Sequence, residues 1–198
     1  MTTIIQPPFN IEEQRVVLPS VTWQQYESLL ATLGDYPGLR LIYLEGTLEI
    51  FMPSAEHEMI KKVIARLIER YAEEVDIPLH GYGSTTFRRE AKARGLEPDE
   101  CYCVETLKEL PDFAIEVNLT SGGVEKLAVY KGLGILEVLI WQPNKLALYD
   151  LRQESYQEVI HSQFFPNLDL QLLAQYVRPQ EQPQAIKEFL RAIRSHQS

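Results

Sequence analysis

The chain has 198 residues, of which 45% are hydrophobic and 24% are charged, and its formal net charge is −9. This composition is typical of one globular domain and excludes a disordered chain. The negative charge argues against a broad basic surface for nucleic acid, although a local one stays open. No apolar run approaches a membrane span, and the amino terminus lacks the pattern of a secretory signal, so we expect a cytoplasmic protein.

The first elements predicted along the chain are an arm, a helix and a hairpin. Residues 1–13 contain prolines and are weakly patterned, so we interpret them as an amino-terminal arm. The stretch LPSVTWQQYESLL has apolar residues at helical spacing, and Ser20 or Thr22 can cap the helix. LRLIYLEGTLEIFM has two β-rich halves that meet at Glu45 and Gly46, which predicts a β-hairpin.

The clearest helix in the sequence is PSAEHEMIKKVIARLIERYAEEVD. Ser54 can cap it, although His57 stands where a complete capping box has Glu or Gln. The apolar residues recur at helical spacing and predict one buried stripe, formed by Ile60, Val63, Ile64, Leu67, Ile68 and Tyr71. The same spacing turns His57 towards the buried side, where it can touch a metal site, orient a carboxylate, or serve only as a cap or core residue.

The second half of the chain alternates strands and helices. We predict short strands at HGYGSTTFRRE, ECYCVE and PDFAIEV, then a helix at GVEKLAVYKGLG that ends on Gly132 or Gly134. An apolar strand, ILEVLIW, begins a meander through KLALYDL and SYQEVI, and LDLQLLAQYV and PQAIKEFLRAIRSH predict two closing helices. The order indicates an α/β fold, with one domain over residues 14–178 around a mixed sheet and a carboxy-terminal helix over 179–198 packing on it.

The two cysteines, Cys101 and Cys103, are two positions apart in the strand ECYCVE. Their side chains then point the same way, which is poor disulfide geometry, and two thiols alone do not make a structural zinc site. We interpret both as buried strand residues, since free cysteine is commonly buried.

Carboxylates stand in or beside strands that a core would otherwise fill with apolar side chains. Because side chains alternate along a strand, Asp112 and Glu116 of PDFAIEV share one face. If ECYCVE is the neighbouring strand, Asp99 lies close to Glu116, and two close carboxylates do not both ionise without a compensating charge. Mg²⁺ held by two carboxylates, water and phosphate supplies that charge, and Lys126 at the start of the next helix adds an ammonium group.

A structural interpretation of the same residues stays open at this point. Pro-Asp is a common turn or strand-entry step, so Asp99 and Asp112 can simply accept hydrogen bonds from backbone donors. Glu116 can be exposed on an edge strand, and Lys126 can be a surface lysine. Spacing by itself does not separate this interpretation from a metal site.

The ordered succession LEGTLEIFMPSAEHE, GSTTFRR, GLEPDECY, PDFAIEV and EKLAVYKGLGILEVLIW resembles a restriction-endonuclease family of the Uma-two type, which is expanded in cyanobacteria. That family belongs to the PD-(D/E)XK nuclease superfamily, and the resemblance covers roughly residues 15–175. It implies a restriction-endonuclease-like fold and a nuclease that uses Mg²⁺ or Mn²⁺. The implied metal ligands are Asp99 and Glu116. The family lysine falls on Lys126, and the histidine after the Met-Pro step falls on His57.

Two positions depart from the family pattern. The superfamily lysine stands two residues after the strand glutamate, where this chain has Asn118, so the assignment depends on Lys126. The family hairpin often carries an acidic residue four positions before its glycine, where this chain has Ile42. Glu45 or Glu49 is the substitute, and we take Glu45 as the catalytic candidate.

Three functions are compatible with these residues. The first is a Mg²⁺-dependent endonuclease that hydrolyses DNA phosphodiester bonds. The second is a nuclease fold without activity that binds DNA or protein, which the acidic charge, Asn118 and Ile42 favour. The third, a hydrolase of small molecules that uses Asp112 and Glu116, lacks any pocket-forming motif. By analogy with other nucleases, the strand ILEVLIW and the meander after it predict a homodimer that reaches both DNA strands.

Overall fold

The structure is a computed structural model that describes residues 12–83, 85–121, 123–143 and 145–197, so residues 1–11 of the predicted arm lie outside it. The helices are α1 (Trp23–Leu33), α2 (Ala55–Glu74), α3 (Lys126–Leu133), α4 (Leu170–Gln175) and α5 (Gln182–Gln197). The strands are β1 (Gln14–Leu18), β2 (Arg40–Leu44), β3 (Thr47–Met52), β4 (Leu79–Gly81), β5 (Phe87–Arg89), β6 (Arg94–Leu96), β7 (Glu100–Val104), β8 (Phe113–Val117), β9 (Glu137–Gln142), β10 (Lys145–Arg152) and β11 (Ser155–Val159). Short 3₁₀ helices occur at Glu90–Lys92 and Pro179–Glu181.

In the described part of the chain, the strands form two sheets. The larger has six strands in the order β11-β10-β9-β8-β7-β4, and its β8 and β9 run parallel while the other neighbours are antiparallel. The smaller has five antiparallel strands in the order β1-β3-β2-β6-β5 and contains the predicted hairpin. The predicted α/β fold with a mixed sheet is confirmed, and the five-stranded sheet is an addition to it.

Several local signals of the sequence have the predicted structural role. Thr22 caps α1 in a complete capping box, so the cap is Thr22 rather than Ser20. Ser54 Oγ accepts a hydrogen bond of 3.1 Å from the backbone N–H of His57 at the start of α2. The hairpin between β2 and β3 turns at Glu45 and Gly46, whose φ values of 46° and 90° are the positive values that a two-residue hairpin turn requires at both positions.

The segment HGYGSTTFRRE was predicted as one strand, and this prediction is wrong. Its first part is β4, at the edge of the six-stranded sheet, and its last part is β5, at the edge of the other sheet. Gly83 lies between them with a φ of 63°, which interrupts extended backbone. This crossing of the chain brings a basic segment next to α3.

The six-stranded sheet is covered on both faces. One face, which carries Phe113, Ile115 and Val117, packs against α2 and α5 in the largest apolar cluster. The other face, with Cys101 and Ala114, packs against α3 and against residues of the five-stranded sheet. Both cysteines are buried and free, as predicted. A strand with two covered faces is apolar throughout, and each fully buried aliphatic side chain contributes about 1.5–3 kcal/mol.

The apolar strand ILEVLIW corresponds to β9, which lies between β8 and β10 inside the six-stranded sheet. The apolar side chains of β9 are therefore part of the core. Because β9 has a strand on each side, it offers no free edge to a second copy of the chain. The outer strand of the meander, β11, is an edge of the sheet. Among the described residues, no helix is both long and apolar enough to cross a membrane.

Candidate active site

The two acidic residues that the family resemblance implies as metal ligands lie on neighbouring β-segments, Asp99 directly before β7 and Glu116 within β8. β7 and β8 pair with Glu100 opposite Ile115 and Cys101 opposite Ala114. Extending this antiparallel register by one residue sets Asp99 opposite Glu116, on the sheet face that α3 covers. Both side chains are buried, with 4% of Asp99 and 1% of Glu116 exposed. The interpretation of Glu116 as an exposed edge residue is therefore wrong.

Asp99 is held by three contacts that come from distant parts of the chain. The backbone N–H of Val117 donates a hydrogen bond of 2.7 Å to Oδ2. Arg40, at the first position of β2, donates through Nη1 to Oδ1, and His57 Nε2 lies 2.9 Å from the same oxygen. Arg40 Nη2 also donates to Glu58 at 2.8 Å. The carboxylate is thereby fixed between the two sheets.

Glu116 is held by two donors from α3. Lys126 Nζ donates a hydrogen bond of 2.6 Å to Oε2, and the Tyr130 hydroxyl donates to Oε1. The two residues are four apart on a helix, so they present their donors from the same face. Burial, followed by the nearby Glu116 charge, raises the pKa of Tyr130 well above its ordinary value, so Tyr130 stays a proton donor. Lys126 is thus a partner of Glu116 and not a surface lysine.

A third buried carboxylate, Glu49, lies beside this pair. Glu49 of β3 is the cross-strand partner of Ile42 in β2, and Ile42 stands where the family often has an acidic residue. Cross-strand partners lie side by side on the same face of a sheet, so Glu49 places a carboxylate next to that position. Its Oε1 lies 2.8 Å from Arg15 Nε, and its Oε2 accepts a bond of 2.6 Å from the N–H of Val124. Gly123, at a φ of 93°, lets the loop approach, because a Cβ there would lie 2.3 Å from Glu49 Oε2.

Phe51 of β3 forms a wall beside these groups. Arg15 Cζ and Lys126 Nζ lie 5.2 and 5.4 Å from the centre of its ring. A cavity of about 690 Å³ opens here, lined by Arg15, Glu49, Asn118, Lys126 and the loop before α3. Lys126 therefore both bonds Glu116 and lines the cleft.

His57 connects the site to the start of the described chain. Its Nδ1 lies 2.7 Å from Glu13 Oε1 and its Nε2 lies 2.9 Å from Asp99 Oδ1. Burial, then the charges of Arg40 and Lys126, lower the pKa of His57 to about 2, so the ring is neutral near pH 7. A neutral imidazole has one N–H, so His57 can donate to Glu13 or to Asp99 but not to both at once.

Two acidic candidates lie elsewhere. Glu45 is at the hairpin turn, where its exposed carboxylate pairs with Arg94 at 2.8 Å and does not face Asp99 or Glu116. Asp112, at the other end of β8, accepts from the Val104 N–H at 2.9 Å and from Lys108 Nζ at 2.6 Å. Asp112 therefore accepts hydrogen bonds that fix the chain before β8, as expected of a Pro-Asp step. A small-molecule hydrolase that uses Asp112 and Glu116 together is not supported, because the two carboxylates lie at opposite ends of β8.

The compensating charge expected from a metal is supplied by the protein. Arg40 pairs with Asp99 and Lys126 pairs with Glu116, so two cations balance two anions. The formal charges of these four groups sum to zero, and a bound Mg²⁺ would raise the total to +2. That sum suits a phosphodiester and a hydroxide, which carry one negative charge each.

The donor set around the acidic pair fits a hard cation that keeps most of its water. A carboxylate has about four lone-pair sites, and protein contacts use three on Asp99 and two on Glu116. Mg²⁺ is commonly held by one or two carboxylates with water and phosphate. Within the described ranges, no group of three or more His, Cys, Asp or Glu is placed to hold a metal ion. A cation at this pair would therefore need water or phosphate as further ligands.

The family of the chain is established by comparison with known protein families. The model of the Uma2 family, described as "Putative restriction endonuclease", matches residues 23–179, and the chain belongs to this family. The match contains Asp99, Glu116 and Lys126, whereas Glu13 and Arg15 precede it. No curated protein matches the chain.

Arg40, Tyr130, Arg15 and Glu13 are the residues of the site that the sequence did not predict. Arg40 had one visible signal, a basic residue that opens the apolar strand LRLIYL and is 7% exposed. Tyr130 fitted the buried helix stripe equally well as a core residue. Glu13 fell in the predicted arm, so its contact with His57 had no local signal.

Proposed function

We propose that the chain is a Mg²⁺- or Mn²⁺-dependent endonuclease that hydrolyses DNA phosphodiester bonds. The observation that carries this proposal is the placement of Asp99 and Glu116 on neighbouring β-segments, with Lys126 bonded to Glu116 and lining the adjacent cleft. Membership of the Uma2 family supports nuclease chemistry of this general kind.

Asp99 and Glu116 would hold the cation, which when bound polarises a phosphoryl oxygen and acidifies water. Hydrolysis adds the water oxygen to phosphorus, breaks one phosphorus–oxygen ester bond, and leaves a proton for the departing oxygen. Lys126, with its ammonium group towards the cleft, stabilises the negative charge that develops on the phosphoryl oxygens. Tyr130 and His57 do not reach the substrate in this scheme. They fix the orientation of Glu116 and of Asp99, respectively.

The direct experiment is plasmid cleavage in the presence of MgCl₂ or MnCl₂. Asp99→Asn and Glu116→Gln should each abolish cleavage, because each removes a charged ligand while keeping the shape of the side chain. Unaltered protein that cuts neither linear nor supercoiled DNA with either metal would refute the proposal.

The accessory acid provides a matched pair of variants. Glu49 faces the cleft and Glu45 lies at the exposed turn, on the same hairpin. Glu49→Gln should reduce the cleavage rate, whereas Glu45→Gln should leave it unchanged within a factor of about two. If Glu45→Gln reduced the cleavage rate and Glu49→Gln did not, the accessory acid would be Glu45 at the turn.

A fold that binds DNA or protein without cleaving it is the second candidate. It is favoured by the engagement of all four carboxylate oxygens of Asp99 and Glu116 by protein groups. Calorimetric titration of Mn²⁺ into the unaltered chain and into Asp99→Asn separates the candidates. Heat of binding that Asp99→Asn removes supports the nuclease, and DNA binding without any metal binding supports the second candidate.

A homodimer belongs to the same proposal, because two copies would reach both strands of a duplex. Association would use β11, one of the two edge strands of the six-stranded sheet in the described chain, since β9 is enclosed. Sedimentation velocity tests this point, and a monomer at all concentrations would contradict it.

A further inference from the structure

A basic hairpin lies next to α3, at some distance from the acidic pair. It consists of residues 87–96, which form β5, a 3₁₀ turn and β6. The segment has four basic residues, Arg88, Arg89, Lys92 and Arg94, and one acidic residue, Glu90, which give a formal charge of +3 in a chain of −9. Residues 61–70 of α2 have the same formal charge, so the hairpin is distinguished by its position next to α3 rather than by its charge alone.

Arg94 fixes the hairpin to α3. Its Nε donates a hydrogen bond of 3.1 Å to the carbonyl of Ala128, and its Nη2 pairs with Glu45 at 2.8 Å. Its aliphatic carbons lie on Gly132, where a Cβ would approach Arg94 Cγ to 2.3 Å. The hairpin is therefore held on the same helix whose first residue is Lys126 of the candidate active site.

The other cations of the hairpin are directed to solvent. Arg89 and Lys92 are exposed, and within the described ranges neither has a carboxylate oxygen within 4.0 Å. Arg88 is also exposed and lies 3.4 Å from Glu27 on the protein surface. Arg89 and Lys92 thus retain their full charge for an external anion.

We propose that the basic hairpin is a docking surface for the phosphate backbone of duplex DNA, which rests on the proposed nuclease function. The spacing supports this occupant. The eight residues of α3 span about 12 Å, and duplex DNA advances about 3.4 Å per base pair. Arg89 Nη1 lies near Gly134, at the other end of α3 from Lys126. A duplex that runs along α3 with its reacting phosphate at Lys126 would therefore bring a phosphate about three to four base pairs away to Arg89.

Charge also explains why this contact is needed. The acidic pair is compensated by Arg40 and Lys126, so without a metal the site has little attraction for a polyanion. Arg89 and Lys92 add attraction that depends on no metal and no base sequence. The hairpin holds the backbone while the acidic pair performs the chemistry.

The experiment is fluorescence anisotropy with a labelled duplex of random sequence, in EDTA so that no cleavage occurs. The test variant is Arg89→Gln/Lys92→Gln. Its affinity should fall about tenfold, and the slope of log K against log salt, between about 50 and 200 mM, should decrease by about 2, because two phosphate contacts are lost. Arg89→Lys/Lys92→Arg keeps both charges and should bind as the unaltered chain does.

The control removes the same charge from another surface. Lys187→Gln/Arg191→Gln alters two exposed residues of α5, which packs on the opposite face of the six-stranded sheet from α3. This variant should retain its affinity and its salt slope. An equal loss in the control and the test variant would overturn the docking surface, because the loss would then follow net charge alone.

The outcomes separate the two proposals. If the unaltered chain binds the duplex and Arg89→Gln/Lys92→Gln binds it equally well with the same slope, the hairpin proposal is wrong and the nuclease proposal stands. If the test variant loses affinity while Asp99→Asn binds normally and nothing is cleaved, the docking surface stands without the nuclease. No binding of the unaltered chain at any salt concentration would overturn the docking surface, and plasmid cleavage with MgCl₂ or MnCl₂ would still decide the nuclease proposal.

Discussion

Replacement of Lys126 by methionine provides a quantitative test of the site. The change keeps the length of the side chain and removes the ammonium group, so Glu116 keeps only the Tyr130 hydroxyl as a donor. Lys126 has 10% of its side chain exposed and Glu116 has 1%, so the pair is shielded from solvent and its energy is not reduced by screening as a surface pair would be.

Removal of one partner from a buried ion pair costs about 3–5 kcal/mol. The lower end applies here, because Tyr130 stays bonded to Glu116 and water from the cleft can reach the vacated position. A loss of about 3 kcal/mol in a domain of this size lowers the melting temperature by about 6–12 °C. The double variant Lys126→Met/Glu116→Gln should recover about 2 kcal/mol relative to the sum of the single changes, since no buried charge is then left alone.

Urea unfolding of the four proteins of this cycle, followed by circular dichroism, measures these energies. MgCl₂ should stabilise Lys126→Met more than the unaltered chain, because the acidic pair then has an uncompensated charge; a metal at 100 times its Kd adds about 2.7 kcal/mol. A midpoint for Lys126→Met equal to that of the unaltered chain, with no coupling in the cycle, would refute the buried pair.

Three further predictions concern stability. Gly123→Ala should lower the free energy of unfolding by at least about 2 kcal/mol, because the new Cβ meets Glu49 at a residue with a φ of 93°. Gly38→Ala, at a φ of 75° with open space around it, should lower it by about 1 kcal/mol, and thermal unfolding measures both. Burial raises the pKa of Glu137, so the unfolding free energy should fall as the pH rises above about 4.5 towards the folded-state pKa; urea titrations across this range should show less of this fall in Glu137→Gln. Ser54→Ala removes the α2 cap and should cost about 1 kcal/mol, and a variant as stable as the unaltered chain would contradict the cap.

Prediction from the sequence was strongest where one element carries its own pattern. The apolar stripe of α2 includes Ile60, Ile64 and Leu67, and all three are buried against the six-stranded sheet. The turn at Glu45 and Gly46 was recognisable because two β-rich halves meet there at a glycine, and the structure gives both residues positive φ values. These features depend on neighbours within one helix or one hairpin, so they were visible without the rest of the fold.

Prediction failed where the outcome depends on which strands become neighbours. The segment HGYGSTTFRRE has the composition of one strand, yet its two ends join different sheets. The sequence left Glu45 and Glu49 as possible accessory acids, with Glu45 as the candidate. The register of β3 against β2 and β1 turns Glu49 inward, beside Ile42 and Arg15, and leaves Glu45 at the exposed turn.

The sequence by itself determined which strands carry the acids and that Lys126 begins the helix after them, because side-chain alternation and helix spacing are local properties of the chain. Only the tertiary structure brought Arg40 to Asp99 across 59 positions of sequence and set His57 between Asp99 and Glu13. A buried carboxylate takes whichever donor the folded chain brings within about 3 Å. That choice follows from the packing of the two sheets against each other, which no local pattern contains.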